Sequence, residues 1–174
     1  MDENCIIACI CEGSAEQAII ELLLENDALI FKKNQLLDDT VIRVRSASKF
    51  EEQYLRKQFD KKINVIRVLD SRRENFRLSK SYKDKVEVIN IITAPEIEML
   101  IIHNENKFEE YNDSKKKPSD FCKQDLKYKE VKSYSFVRNY FSDVSILINA
   151  IKQHRKKVRI LGNEKTLVNL LRTF

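Results

Sequence analysis

Apolar residues along this chain fall into short, nearly continuous runs separated by polar segments. The clearest run covers residues 5–11 and reads Cys-Ile-Ile-Ala-Cys-Ile-Cys. Strands that are covered on both faces carry such runs, whereas half-exposed strands alternate apolar and polar residues. Further runs predict strands at residues 40–45, 63–69 and 86–92, with a short one at 157–161.

Helices are predicted from polar residues that suit a helix N-terminus and from the apolar residues that follow them. Three pairs have the spacing of a capping box: Ser14 and Gln17, Ser48 and Glu51, and Thr93 and Glu96. They predict helices over about 14–26, 48–60 and 95–103. Later apolar spacing predicts helices at about 119–129, 133–140 and 142–154, and a closing helix at about 163–173.

The order of these elements predicts an α/β fold, with a mainly parallel central sheet flanked by helices in the Rossmann-like class. A length of 174 residues favours one domain spanning 1–174. Residues 104–119 are almost wholly polar and begin a helical and loop insertion placed at about 104–132. We expect the polar stretch to be peripheral and mobile, because it has few apolar anchors.

Composition narrows the setting of the protein more than its chemistry. No apolar run approaches the roughly 20 residues that span a bilayer, and the N-terminus lacks a basic leader, so we predict a cytoplasmic protein without a membrane partner. The four cysteines are expected to be reduced and buried. The net charge of +5 is concentrated in residues 72–73, 115–117 and 155–159, which suits phosphate contacts and suits an ordinary solvated surface equally well.

Two acidic residues follow directly on predicted strands. Glu12 comes after residues 5–11, and Asp70 comes after residues 63–69. Ligands of parallel α/β sheets bind outside the carboxyl ends of the strands, so neighbouring strands would bring both carboxylates to one crevice. Mg²⁺ is often held by one or two carboxylates together with substrate phosphates. Both acids can equally be a helix cap or a solvated side chain.

The segments around these acids resemble Toprim domains. Glu12-Gly13-Ser-Ala-Glu16 after an apolar strand is similar to their glutamate motif, and Val68-Leu69-Asp70-Ser71-Arg72 is similar to their aspartate motif. Two later segments resemble the RloB-like branch: Ile92-Thr-Ala-Pro95-Glu96-Ile97-Glu98-Met99-Leu100, and Gly162-Asn163-Glu-Lys-Thr166-Leu-Val-Asn-Leu-Leu. The scattered matches span roughly residues 5–172.

The resemblance implies a Toprim-type fold and a Mg²⁺-dependent nuclease that cleaves DNA or RNA in bacterial or phage conflict. Glu12 would be the general acid or base and a metal neighbour, Asp70 the first metal ligand, and Glu98 a third acid. The family usually has a second aspartate at the position of Arg72, and a guanidinium cannot ligate Mg²⁺. Glu74 is a possible substitute for that aspartate.

Two other functions remain open on the sequence. A catalytically degenerate module would bind nucleic acid or a partner protein of a defence complex without cutting, as Arg72 favours. A regulator that binds a small nucleotide has only the basic character of residues 72–73 in its support. The candidate nucleic-acid contacts are Arg72, Arg73, Lys115, Lys116 and Lys117.

Overall fold

A computed structural model describes residues 5–73, 75–93 and 97–172, and its centre is a parallel sheet of three strands. The strands are β1 (Ile6–Cys11), β2 (Ile63–Leu69) and β3 (Val86–Ile92), in the order β1-β2-β3. The predicted α/β class and the parallel central sheet flanked by helices are confirmed, in a Rossmann-like layered arrangement. The three main apolar runs are these three strands.

Short helices and turns surround the sheet. The helices are α1 (Ser14–Glu25), α2 (Ala47–Phe50), α3 (Lys80–Lys83), α4 (Met99–Asn104), α5 (Phe108–Ser114), α6 (Pro118–Gln124), α7 (Tyr134–Tyr140) and α8 (Val144–Lys157). A π-helical turn, Glu51–Leu55, continues α2, and short 3-10 turns cover Lys33–Gln35, Leu37–Asp39 and Leu167–Leu170. No helix in the described part of the chain is both long enough and apolar enough to cross a bilayer.

The two sheet faces are covered by different elements. The larger core joins Cys9, Cys11 and Val68 to the apolar sides of α1, α4 and α8. The smaller core joins Ala8, Ile10 and Val65 to residues around α2 and to Phe76. Successive side chains of a strand point to opposite faces. The double cover therefore explains why β1 and β2 have no alternating polar side.

Both outer edges of the sheet carry isolated bridges, and one beside β1 joins Ile7 to Leu36. Ile42 pairs with Ile10 beside β1, and Lys165 pairs with Ile91 beside β3. The predicted strand at residues 40–45 is therefore wrong as a strand, because only Ile42 joins the ladder, through bonds to Cys9 and Cys11. The predicted strand at 157–161 is also wrong. The apolar spacing of α8 carries the helix through Lys157, and no strand follows there among the described residues.

Helix boundaries differ from the prediction at both ends of the chain. Gly13, not Ser14, is the N-cap of α1, so the predicted capping box there does not form. Ser46, not Ser48, is the N-cap of α2, and its hydroxyl accepts from the Lys49 N–H. The predicted closing helix is a single 3-10 turn, Leu167–Leu170, held by a capping box of Thr166 and Asn169. Glu96 lies outside the described residues.

The polar stretch at residues 104–119 is more ordered in secondary structure than its composition indicates. It contains α5 and the beginning of α6. Phe108 and Tyr111 lie three residues apart on α5, and both pack against the larger core. Three-residue spacing puts them on one helix face, which is enough to anchor a largely exposed helix. The mobility of this stretch stays a prediction.

Candidate functional site

The carboxyl ends of β1 and β2 lie side by side. Cys11 pairs with Val68 in the parallel register, and the Glu12 N–H extends the ladder to the Val68 carbonyl at 3.4 Å. Neighbouring strands are about 4.8 Å apart. The backbones of Glu12 and Asp70 therefore leave the sheet at the same edge, as the sequence predicts. A metal-sized separation between the two carboxylates remains a prediction.

Thr93 fixes the end of β2. Its backbone N–H and its hydroxyl both donate to the carbonyl of Leu69, at 2.8 Å and 2.9 Å. Thr93 is itself buried and follows directly after β3. Two donors on one carbonyl anchor the residue that precedes Asp70. The position of Asp70 is thus set by the rigid sheet, although its side chain is exposed.

Glu12 has a buried cationic neighbour. An oxygen of its carboxylate lies 3.7 Å from Arg67 Nη2, and the two side chains are 12% and 1% exposed. The Arg67 guanidinium also lies over the Phe76 ring, 4.5 Å from the centroid. Arg67 shares a sheet face with Leu69, which is opposite Glu12 in the register. Glu12 is therefore held on the face covered by α2 and Phe76.

Glu16 is a buried acid in the first turn of α1. Its carboxylate folds back over Gly13, where a Cβ atom would overlap Oε2. Burial raises the pKa of Glu16, and the negative charge of Asp70 raises it further. A bond to its own backbone N–H and the charges of Lys132 and Arg43 act in the opposite direction on that pKa. Asp70 and Glu16 are therefore close enough at this edge for the charge of Asp70 to act on Glu16.

The raised pKa of Glu16 has a consequence for stability. A carboxyl whose pKa is higher in the fold than in the unfolded chain stabilises the fold fully below the unfolded value of about 4.3, and this stabilisation is lost as the pH rises through the folded value. We therefore expect Glu16→Gln to raise the free energy of unfolding at pH 7 by on the order of 1 kcal/mol. The gain should vanish near pH 4.

Urea unfolding of wild type and Glu16→Gln at pH 4 and pH 7 measures this difference. Glu25→Gln is a matched control on the same helix, because Glu25 forms a surface pair with Arg138. That control should give no gain at pH 7. Equal effects of the two substitutions would show that the Glu16 carboxylate is not held in a costly environment.

Glu98 and Lys132 form a second ion pair, in addition to that of Glu12 with Arg67. Glu98 is completely buried at the N-cap of α4, and its carboxylate lies 3.1 Å from Lys132 Nζ. The Lys132 side chain is 55% exposed, and its charge reaches Glu16 as well. Lys132 therefore contacts the buried Glu98 carboxylate, and its positive charge also lowers the pKa of Glu16. Glu98 is near the predicted site, but a lysine engages it.

The predicted basic residues differ in their surroundings, and two of them form ion pairs with acids. From its place two residues after Asp70, Arg72 is expected to pair with Asp70 or Glu12 or to contact a phosphate. Among the described residues, Arg72 instead pairs with Glu164 at 2.7 Å. Glu164 is positioned for this by the Leu161 N–H, and both contacts lower the pKa of Glu164. Lys116 pairs with Asp125, while Arg73, Lys115 and Lys117 are exposed. Their binding to nucleic acid stays a prediction, and Glu74 lies outside the described residues.

Sequence reasoning missed three charged residues of the site. Glu16 lies in the first turn of the predicted helix that follows Glu12, and that position close behind a strand end was a usable signal. Arg67 is the only ionisable residue in the apolar run of β2, and a charge there indicates a buried partner. Lys132 carries no such signal, because a long connection brings it to the edge.

No family model matches this chain, and no curated protein or solved structure matches it significantly. The Toprim-like assignment therefore remains an expectation from the motifs, and function has to be inferred from the geometry of the edge.

The acids of this edge suit Mg²⁺ in chemical type, because the ion prefers carboxylate oxygens. In the described residues, no group of three or more His, Cys, Asp and Glu side chains is arranged to hold a metal ion. Arg67 and Lys132 already neutralise Glu12 and Glu98. The residues thus fit a metal that takes part of its coordination from phosphate and water, and they do not fit an all-protein cage.

Proposed function

We propose that this protein is a Toprim-like, Mg²⁺-dependent nuclease that cleaves phosphodiester bonds of DNA or RNA. The observation that supports it best is the meeting of two parallel strand ends that carry Glu12 and Asp70, with buried Glu16 near Asp70. Crevices at this end of parallel sheets are where such folds bind ligands. By the motif resemblance, the setting is conflict between bacteria and phage, in the cytoplasm.

In this proposal, Asp70 and Glu16 bind the metal ion, and Glu12 transfers a proton. Asp70, exposed and anchored through Leu69, would hold Mg²⁺ together with the substrate phosphate, and Glu16 would supply a second carboxylate. Glu12, oriented by Arg67, would move a proton to or from the attacking water or the leaving oxygen. When bound, Mg²⁺ neutralises phosphate charge and makes a bound water more acidic.

Arg67 has a positioning role in this proposal. A glutamate on a strand end has several rotamers, and a buried guanidinium restricts its carboxylate to one side of the edge. Phe76 in turn covers the guanidinium and shields it from water. Glu12 is therefore presented by a packed neighbour, which suits a residue that must act in one geometry.

A second function has specific support. Two cations pair with acids of the edge, Arg67 with Glu12 and Lys132 with Glu98, and Arg72 stands two residues after Asp70 where Toprim domains usually have an aspartate. Such neutralisation weakens metal binding and favours a module that binds nucleic acid or a defence partner without cutting it. The two functions share a surface and differ in whether Mg²⁺ changes the bound strand.

A cleavage assay with labelled single-stranded DNA, duplex DNA and RNA separates them. We expect cleavage with Mg²⁺ or Mn²⁺ that EDTA abolishes, and a loss of at least about 100-fold in Asp70→Asn, since one lost transition-state contact costs that much. Asp84→Asn, an exposed aspartate at the end of α3, is the matched control and should cleave normally. Binding without cleavage under all metals would establish the degenerate module instead.

A further inference from the structure

A cleft with one aromatic side and one cationic side lies next to the candidate edge. Its volume is about 300 Å³, and we call it the aromatic cleft. It is lined by Arg72, Met99, Phe108, Tyr111, His154, Lys157, Val158 and Arg159. Arg72 is two residues from Asp70, so the Cα atoms of the two residues are at most about 7 Å apart.

The inner wall of the cleft is apolar and held in place. Tyr111 contacts Phe108 with ring centroids 6.4 Å apart, and its ring edge meets buried Phe121 at 5.6 Å. Phe108 stacks on the buried His103 ring at 4.9 Å. Neither aromatic residue is fully buried, although both pack on the larger core. A fixed, partly exposed aromatic wall is the surface on which nucleic-acid bases stack.

The rim of the cleft carries positive charge. Arg159 is exposed and forms no ion pair among the described residues. Arg72 and Lys157 are offset by Glu164 and Glu109, at 2.7 Å and 2.9 Å. Lys157 Nζ also lies 4.9 Å from the Phe108 ring centroid, so charge and aromatic surface meet directly. A guanidinium fork matches the oxygens of a phosphate.

We propose that the aromatic cleft binds one nucleotide unit, with its base against Tyr111, beside the contact of Phe108 with Lys157, and with its phosphate at Arg159 and Arg72. The volume is at the lower bound of ligand pockets and suits one such unit. The unit is either an unpaired residue of a strand or a free nucleotide. Nucleotide binding in the cleft does not depend on the proposed function. Only one further step rests on that function, namely that a strand bound in the cleft places its neighbouring phosphate at Asp70.

Fluorescence anisotropy in EDTA tests the cleft without any cleavage. The probes are a labelled ten-residue dT strand, the same strand without bases, and unlabelled AMP as a competitor. We expect the strand with bases to bind about tenfold more tightly than the abasic strand. Displacement by AMP at concentrations close to the dissociation constant of the labelled dT strand identifies a free nucleotide as a ligand. Displacement only at far higher AMP concentrations identifies an unpaired residue of a strand as the ligand.

Two variants assign the binding to this cleft. Arg159→Glu should weaken strand binding about tenfold at low salt, while Lys152→Glu, with the same charge change on an exposed position of α8 outside the cleft, should weaken it less than twofold. Tyr111→Leu should remove most of the preference for bases and leave the abasic strand unaffected. Circular dichroism verifies that each variant is folded.

Equal effects of Arg159→Glu and Lys152→Glu would overturn the proposal, and so would equal affinity for normal and abasic strands. The two proposals fail separately. Tight, base-dependent binding without metal-dependent cleavage would remove the nuclease and keep the cleft. Cleavage that survives Arg159→Glu and Tyr111→Leu unchanged would remove the cleft and keep the nuclease.

Discussion

Replacing Arg67 with methionine is expected to lower the free energy of unfolding by about 3 kcal/mol. The guanidinium is fully buried in β2, and it faces Glu12 and Phe76. Removing one partner of a buried ion pair leaves the other charge without its compensation, which costs about 3–5 kcal/mol. Methionine keeps much of the apolar volume, so the measured loss reports charge more than packing.

The control for this prediction lies just before the same strand. Lys62 pairs with Glu87 at 3.1 Å, but both side chains are more than half exposed. Lys62→Met should therefore cost less than about 1 kcal/mol. Urea unfolding of both variants, and of Glu12→Gln in the Arg67→Met background, measures the coupling. A double variant no more stable than Arg67→Met, or equal costs at positions 62 and 67, would contradict the pairing.

Replacing Arg72 with aspartate is expected to strengthen Mg²⁺ and Mn²⁺ binding at least about tenfold. The change turns a positive charge two residues after Asp70 into a carboxylate, and metal affinity rises with the number of charged oxygen ligands. Isothermal calorimetry on the protein without phosphate measures it. Wild type should bind either ion weakly, since the described carboxylates form no complete site.

The ion pair with Glu164 requires two companion variants. Arg72→Asp removes the partner of Glu164 and places like charges close together, so Arg72→Asp combined with Glu164→Gln isolates the metal effect. Arg73→Asp makes the same charge change at the adjacent exposed residue and should bind metal as wild type does. Tight binding by wild type would refute the degenerate module. No gain in the double variant would show that Asp70 belongs to no metal site.

Strands β1 and β2 were predictable because burial on both faces leaves a nearly continuous apolar run, whereas β3 also carries the exposed Glu87 and Asn90. The same rule fails at residues 40–45, where only Ile42 forms a bridge, and at 157–161, where α8 ends at Lys157 and the apolar Leu161 is exposed. Hydrophobicity reports burial, and it does not report which backbone groups pair.

The candidate site was predictable in its position and not in its partners. Glu12 and Asp70 follow strands, so topology alone brings them to one edge. Three ion pairs of that edge join residues far apart in the chain. Arg67 is 55 residues from Glu12, and Lys132 is 34 residues from Glu98. Glu164 is 92 residues from Arg72. Such pairs are set by the tertiary packing, which no local pattern of the sequence encodes.

At Gly13, the requirement for a glycine comes from a neighbouring side chain and not from the backbone conformation. Its backbone is extended, with φ −112°, so any residue is conformationally acceptable there. The nearest neighbours of a methyl group at this position are atoms at the movable end of the Glu16 side chain. Replacing this glycine with a larger residue would therefore leave the fold almost unchanged, but it would displace the Glu16 carboxylate from the edge. If the proposed function is correct, selection would keep residue 13 a glycine for the sake of activity and not for the sake of stability.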